Sequence, residues 1–164
     1  MNSNKTEEEA FKKARNIVFQ LLKTRHQTEK EIRDKLGKKA FEKNTIEKTV
    51  KYFKDLDFIN DRLFAQKWIR YRLAKPYGKV KIRFELKNKG VSQPIIDDEI
   101  REATGAENYS ESETAWRLAQ KQIAKHENKN IDKEKIKQRV YRYLARRGFG
   151  PDAIQEAIKK YDRQ

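Results

Sequence analysis

The chain has 164 residues, 36% of them hydrophobic and 40% charged, with a net charge of +15 and no cysteine. This excludes a disulfide framework and a thiolate metal site, and no apolar run approaches the roughly 20 residues of a membrane span. The opening MNSNKTEEEA is too polar for a signal peptide, so the chain reads as soluble and cytoplasmic.

Charge this dense and a mean hydropathy of -1.11 favour disorder. Eight Phe, seven Tyr and two Trp recurring at helical spacing argue instead for a folded chain with a thin core. Residues 1–9 read as a polar extension, followed by three three-helix units at 10–59, 60–105 and 106–164. The first helix runs to about Thr24, with Phe11, Ala14, Ile17, Val18, Leu21 and Leu22 as its apolar stripe. Thr28 and Glu31 form a capping box that opens a second helix, with Ile32 and Leu36 inward. A third starts near Asn44 and packs through Ile46, Val50, Phe53 and Leu56.

Asn60 or Asp61 caps the next helix, lined by Leu63, Phe64, Ala65, Trp68, Ile69, Tyr71 and Leu73, and Pro76-Tyr77-Gly78 breaks it. The stretch KVKIRFELKNKG from Lys79 to Gly90 alternates apolar and charged residues like a strand. Its register against residues 28–39 makes it a helix, stopped by a left-handed Gly90. Ser92 and Pro94 open the following helix, with Ile95, Ile96 and Ile100. Ser110 with Glu113 forms a second capping box before Trp116, Leu118, Ala119 and Ile123. Asp132 caps a helix facing inward through Ile136, Val140, Tyr143 and Leu144, and Gly148 ends it. Pro151 suits the first turn of the last helix, which carries Ile154, Ile158 and Tyr161.

One pattern recurs in all three units. Ile32, Leu36 and Ala40 match Ile82, Leu86 and Gly90, and then Val140, Leu144 and Gly148. Ile46, Ile96 and Ile154 each follow the small residue by six positions, and Val50, Ile100 and Ile158 follow four later. The offsets of 50 and 58 residues exceed the tetratricopeptide and ankyrin lengths. The expected fold is all-α: three tandem three-helix repeats stacked into an elongated, curved array.

Catalytic constellations are poor. His26 and His126 sit in polar segments without ligand-spaced neighbours and read as exposed loop residues. Asp97, Asp98 and Glu99 cannot converge on a metal from adjacent helix positions, and they suit a helix N-terminus instead. No phosphate-cradling glycine motif exists, so no enzyme, metal or cofactor is expected. Binding is better supported. Asp61 to Lys89 holds ten Lys/Arg against two acids, and Lys133 to Arg147 seven against one, whereas Val91 to Thr114 is net -6. Arg70, Arg72, Lys79, Lys81, Arg83, Lys87 and Lys89 are expected to form one basic face on two successive helices. Arg139, Arg142, Arg146 and Arg147 are expected to form a second. Trp68 and Trp116 read as core anchors. Such clusters attract a polyanion.

Asn60 to Ala65, then Trp68-Ile69-Arg70-Tyr71-Arg72, then Gly78 to Val91, and finally Arg146-Arg147-Gly148-Phe149 with Ile154 resemble the RecX regulatory proteins, modulators of the bacterial RecA recombinase. The likeness spans about residues 10 to 161 and is most specific in the middle repeat. Asn60 stands where an Asp is common, and Ala40 replaces the usual glycine. Members differ in length, which leaves room for repeats beyond Gln164. The resemblance implies a non-enzymatic regulator whose partners are RecA and the RecA–single-stranded DNA filament, and a monomer is expected. It would lodge in the filament groove and suppress ATPase, strand exchange and co-protease activity, with at most weak, non-specific DNA binding of its own. The rival reading is a stand-alone nucleic-acid-binding protein, a helix-turn-helix-like repressor or RNA-associated module, which would hold a particular site tightly without RecA.

Overall fold

The computed structural model describes residues 2–106, 109–127 and 131–163, and every regular element among them is α-helical. The first three-helix set is α1 (Asn2–Thr24), α2 (Glu29–Gly37) and α3 (Lys43–Asp55). The second is α4 (Asp61–Ala74), α5 (Lys79–Asn88) and α6 (Gln93–Ala106), and the third α7 (Glu111–Glu127), α8 (Lys133–Arg146) and α9 (Pro151–Asp162). Helix α1 continues back through the polar opening segment. By contacts the chain divides into two compact units, 1–67 with 86–96 and 68–85 with 97–164, so α4, α5 and α6 each contribute to both.

In the first unit Ala14, Val18, Ile32, Leu36, Val50, Phe53 and Ile59 form a buried cluster. Leu56, expected inside, is exposed at the end of α3, where Asp57 turns the chain at positive φ. In the second unit Ala115, Leu118, Ile123, Ile136, Val140, Leu144, Ile154 and Tyr161 are among the buried residues, with Trp116 packed against them. Tyr71, also expected to line its helix inward, is exposed.

The helical register of α5 decides its ambiguous pattern. Ile82 and Leu86, four apart, are buried, whereas Val80 is 54% and Phe84 64% exposed. A strand would have put all four on one face.

Each middle helix ends in the same turn. The N–H groups of Phe41, Val91 and Phe149 donate to the carbonyls of Leu36, Leu86 and Leu144, across Ala40, Gly90 and Gly148 at φ 58°, 85° and 79°. This is the left-handed helix stop that glycine adopts without strain. The next neighbour explains why only the first copy tolerates a side chain. A Cβ at Gly90 would run into Lys30, and one at Gly148 would run into the backbone and Cβ of Lys81. Ala40 is exposed.

The two crowded turns belong to a joint that occurs once in each unit. In the first, the Thr28 hydroxyl donates to the Lys89 carbonyl at 2.6 Å, and the Glu29 N–H donates to Asp61 Oδ1 at 2.9 Å. In the second, the Gly78 and Val80 N–H groups donate to the Arg147 and Gly148 carbonyls at 2.9 and 3.1 Å. The Lys79 N–H donates to Glu111 Oε1 at 2.9 Å. The following repeat thus satisfies the Glu29 N–H of α2, whose Thr28 and Glu31 N–H groups are taken by the capping box, and the Gly78, Lys79 and Val80 N–H groups of α5. Its first helix supplies a carboxylate, and the stop of its middle helix supplies carbonyls. Asp61 and Glu111, 50 residues apart, do for Glu29 and Lys79 what a local cap would do. Asn60, not Asp61, caps its own helix, through the Leu63 N–H at 2.9 Å.

Glu31 adds charge to the first joint. Its carboxylate closes the capping box with Thr28 and pairs with Arg25 at 2.9 Å and Lys89 at 2.8 Å. Burial opposes its ionisation, but hydrogen bonds from Arg25, Lys89 and the Thr28 N–H outweigh that and hold its carboxyl below the usual 4.5. Asp61 goes the other way, because burial pushes its carboxyl up more than the Glu29 N–H pulls it down.

Gly148→Ala is expected to lower stability by about 3 kcal/mol, combining left-handed strain with overlap on Lys81. Ala40→Gly is expected to raise it by about 1 kcal/mol, a gain of roughly 2–4 °C in Tm. Thermal and urea denaturation of the two variants checks both signs. Glu31, lowered in the folded state, contributes stability above pH 4.5 that is lost as pH falls through its folded value. Glu31→Gln keeps a capping-box side chain, so denaturation at neutral and acid pH is expected to show lower stability near pH 7. It is also expected to show a shallower decline below about pH 4.5.

Candidate functional site

The cationic residues singled out from the sequence fall into two groups. In the second unit, Arg72 is built into the structure. Its Nε donates to Glu85 Oε2 at 2.7 Å, and the same oxygen accepts from Trp68 Nε1 at 3.0 Å. The Arg72 guanidinium lies 4.8 Å from the ring centres of both Trp68 and Tyr77, so its charge is paired and its faces covered. Trp68 is therefore a half-buried anchor of this cluster. Arg83 pairs with Asp97 at 3.0 Å. The ammonium groups of Lys79 and Lys81 lie over Tyr109 and Tyr77 at 5.6 and 4.8 Å.

Arg147 belongs to the joint. Its Nη1 donates to the Lys75 and Pro76 carbonyls at 3.1 and 3.3 Å, and its guanidinium lies over Tyr77 and Tyr143. In the first unit Lys89 is taken up by Glu31 and lies over Phe64.

The remaining members are exposed: Arg70 and Lys87, and on α8 Arg139, Arg142 and Arg146. The expected single basic face of the middle repeat is not what these helices build. Arg70 and Arg72 are two residues apart and hence about 200° apart around α4. The second has Glu85 and three rings around it, whereas the first is exposed.

Of the four residues in the second expected cluster, three share a cleft and Arg147 does not. Arg139, Arg142 and Arg146 follow one another at i, i+3 and i+7 on α8, which places them on one side of that helix. With Tyr143, and with Gln122 and His126 from α7, they line a cleft of about 190 Å³. Arg139 Nη1 approaches His126 Nδ1 at 3.2 Å. Since the guanidinium can only donate, Nδ1 is the acceptor in this contact. His126 is therefore no exposed loop residue: it sits half-buried in the last turn of α7. No carboxylate lines the cleft, and the three arginines form no ion pair among the described residues.

The acidic run of α6 is dispersed: Asp97 faces Arg83, Asp98 pairs with Arg101, and Glu99 is buried. Among the described residues no three His, Cys, Asp or Glu side chains are grouped to hold a metal. No described helix is long and apolar enough to cross a membrane.

Sequence reasoning missed Gln122 and His126, and also the joint role of Asp61 and Glu111. The i, i+4 spacing of Gln122 and His126 on an apolar-striped helix carried part of the signal. That the expected arginine run lies opposite them becomes visible only when α7 and α8 pack together.

Comparison with known proteins fits these three helix triplets. Residues 14–53, 60–99 and 110–158 match the first, second and third three-helix domains of RecX. The regulatory protein RecX of Clostridium perfringens (strain 13 / Type A) is 32% identical over 153 residues, covering 93% of this chain and 70% of that one. RecX of Chlorobium phaeobacteroides (strain BS1) is 34% identical over 148 residues, covering 90% and 92%. The crystal structure of RecX from Lactobacillus salivarius superposes with a TM-score of 0.79 at 23% identity, covering 96% of this chain and 99% of that one. With every repeat matched in order and the same all-helical fold, this chain belongs to the RecX family of regulatory proteins.

Proposed function

We propose that this protein regulates the RecA recombinase by binding RecA and RecA–single-stranded DNA filaments. It lodges in the filament groove and inhibits ATPase, strand exchange and co-protease activity, so that recombination and DNA repair are held in check. Membership of the RecX family is the observation that carries this reading. The charge arrangement supports it. Arg70, Lys87, Arg139, Arg142 and Arg146 face solvent, where they can meet acidic side chains of a protein polymer or the phosphates it carries.

The mechanism is steric and electrostatic. Helical repeats occupy the groove between neighbouring RecA subunits, and the exposed arginines and lysines hold them there. Arg72, Arg83, Lys89 and Arg147 contribute by keeping the helices in place, since their charges are engaged within the fold.

The test is RecA ATPase on single-stranded DNA with this chain titrated in. The parent is expected to inhibit, and Arg70→Glu/Lys87→Glu/Arg142→Glu/Arg146→Glu is expected to need at least about tenfold more protein for the same inhibition. That shift corresponds to roughly 1.4 kcal/mol of binding. Absence of inhibition by the parent would remove the function, and unchanged inhibition by the variant would remove the exposed cations from the interface.

A further inference from the structure

The cleft between α7 and α8 has a composition that a general basic surface does not explain. Three guanidinium groups, an imidazole and a carboxamide line one concavity of about 190 Å³ from which carboxylates are absent. Several other arginines are neutralised by a nearby acid: Arg33 by Glu29 and Glu47, Arg72 by Glu85, Arg83 by Asp97. The three arginines on α8 have no such acid, and like charges three and four residues apart on one helix repel one another. Arg142 Nε donates to the Gln138 carbonyl at 3.3 Å, but no carboxylate lines the cleft to offset that repulsion, whereas a bound anion would.

We infer that this cleft is a phosphate-binding site, taking adjacent phosphate groups of one polyanion. The inference deepens the proposed function without depending on RecA, and it adds Gln122 and His126 to the residues involved.

Chemistry and spacing select the ligand. The planar fork of arginine matches two oxygens of a phosphate, and three such forks on one helix suit successive phosphates better than a single carboxylate. From Arg139 to Arg146 the helix rises about 10 Å, a span that linked phosphates fill better than one small anion. Gln122 brings an amide N–H₂ from the opposite wall, and a neutral donor of that kind adds hydrogen bonds without adding charge. Arg139, braced against His126 Nδ1, is held at the cleft instead of sweeping through solvent. Two sources provide this chemistry: the phosphodiester backbone of a single-stranded nucleic acid, and a free polyphosphate chain. About three contacts to a single strand give a log–log salt slope near -2, a loss of roughly 20-fold between 50 and 200 mM salt.

The experiment measures binding of the full chain to three probes: single-stranded oligo(dT), inorganic tripolyphosphate and polyglutamate. The parent is compared with Arg139→Gln/Arg142→Gln/Arg146→Gln and with Lys12→Gln/Lys13→Gln/Lys38→Gln, which removes the same charge from exposed positions far along the chain. Circular dichroism establishes that the helices persist. The arginine variant is expected to lose at least tenfold in affinity for the preferred phosphate probe at about 50 mM salt and to show a flattened salt slope. The lysine variant is expected to lose much less. Tighter binding of oligo(dT) than of tripolyphosphate assigns the site to a nucleic-acid backbone, and the reverse order assigns it to a free polyphosphate. Equal losses in the two variants, polyglutamate binding as tight as the phosphate probes, or no binding of either phosphate probe overturns the site. RecA inhibition is read separately on the same samples. A parent that inhibits RecA yet shows no preference for the phosphate probes over polyglutamate sinks this inference alone, and a parent that binds phosphate yet leaves RecA untouched sinks the proposed function alone.

Discussion

A helix of about ten residues is marginal on its own, and its first four N–H groups have no partner in its own ladder. The middle helices α2 and α5 are of that length, and each takes partners from the repeat that follows. A carboxylate at the start of the next repeat accepts from Glu29 or Lys79, and the turn ending the next middle helix closes over the same amino end. The approach is close enough that no Cβ fits at Gly90 or Gly148. This one constraint explains the most conspicuous periodicity in the chain, a small residue four after a leucine, and it also explains the single departure. Ala40 occupies the equivalent left-handed turn in the first repeat, where the position is open to solvent.

The joints also decide which charges are available for anything else. Lys89 and Arg147 precede their glycines by one residue and reach back into the joint, one to Glu31 and the other to backbone carbonyls at Lys75 and Pro76. Arg72 and Arg83 are held by Glu85 and Asp97 within the second unit. Half-buried pairs of this kind fix orientation more than they add net stability. What is left outward is a smaller and more ordered set than the net charge suggests. Its densest part is the arginine run on α8.

Much of the fold was legible because its signals are local or periodic. The capping box at Thr28 and Glu31, the cap at Asp132, and the stops at Gly90 and Gly148 all stand where the residues placed them. The strand-like alternation over Lys79 to Lys89 yielded to helical register, and the burial of Ile82 and Leu86 shows why. Less could be read where tertiary packing chooses between equivalent options. Asp61 beside Asn60 offers two caps, and only the neighbouring repeat makes one of them a long-range acceptor. Leu56 and Tyr71 fit an apolar stripe yet lie outside, because a helix end and a ring of cation contacts claim those positions. The candidate site suffered most. A list of arginines cannot reveal which have a carboxylate within 3 Å across the fold, as Arg72 has in Glu85, and so it could not separate bracing residues from outward ones.

Native-state amide hydrogen exchange probes the joint most directly. If the following repeat satisfies each middle helix, the amides of Glu29, Gly78, Lys79 and Val80 will exchange as slowly as those in the helix interiors, opening only with the global unfolding of their unit. Exchange of these four at the rate of a frayed first helical turn would contradict that account.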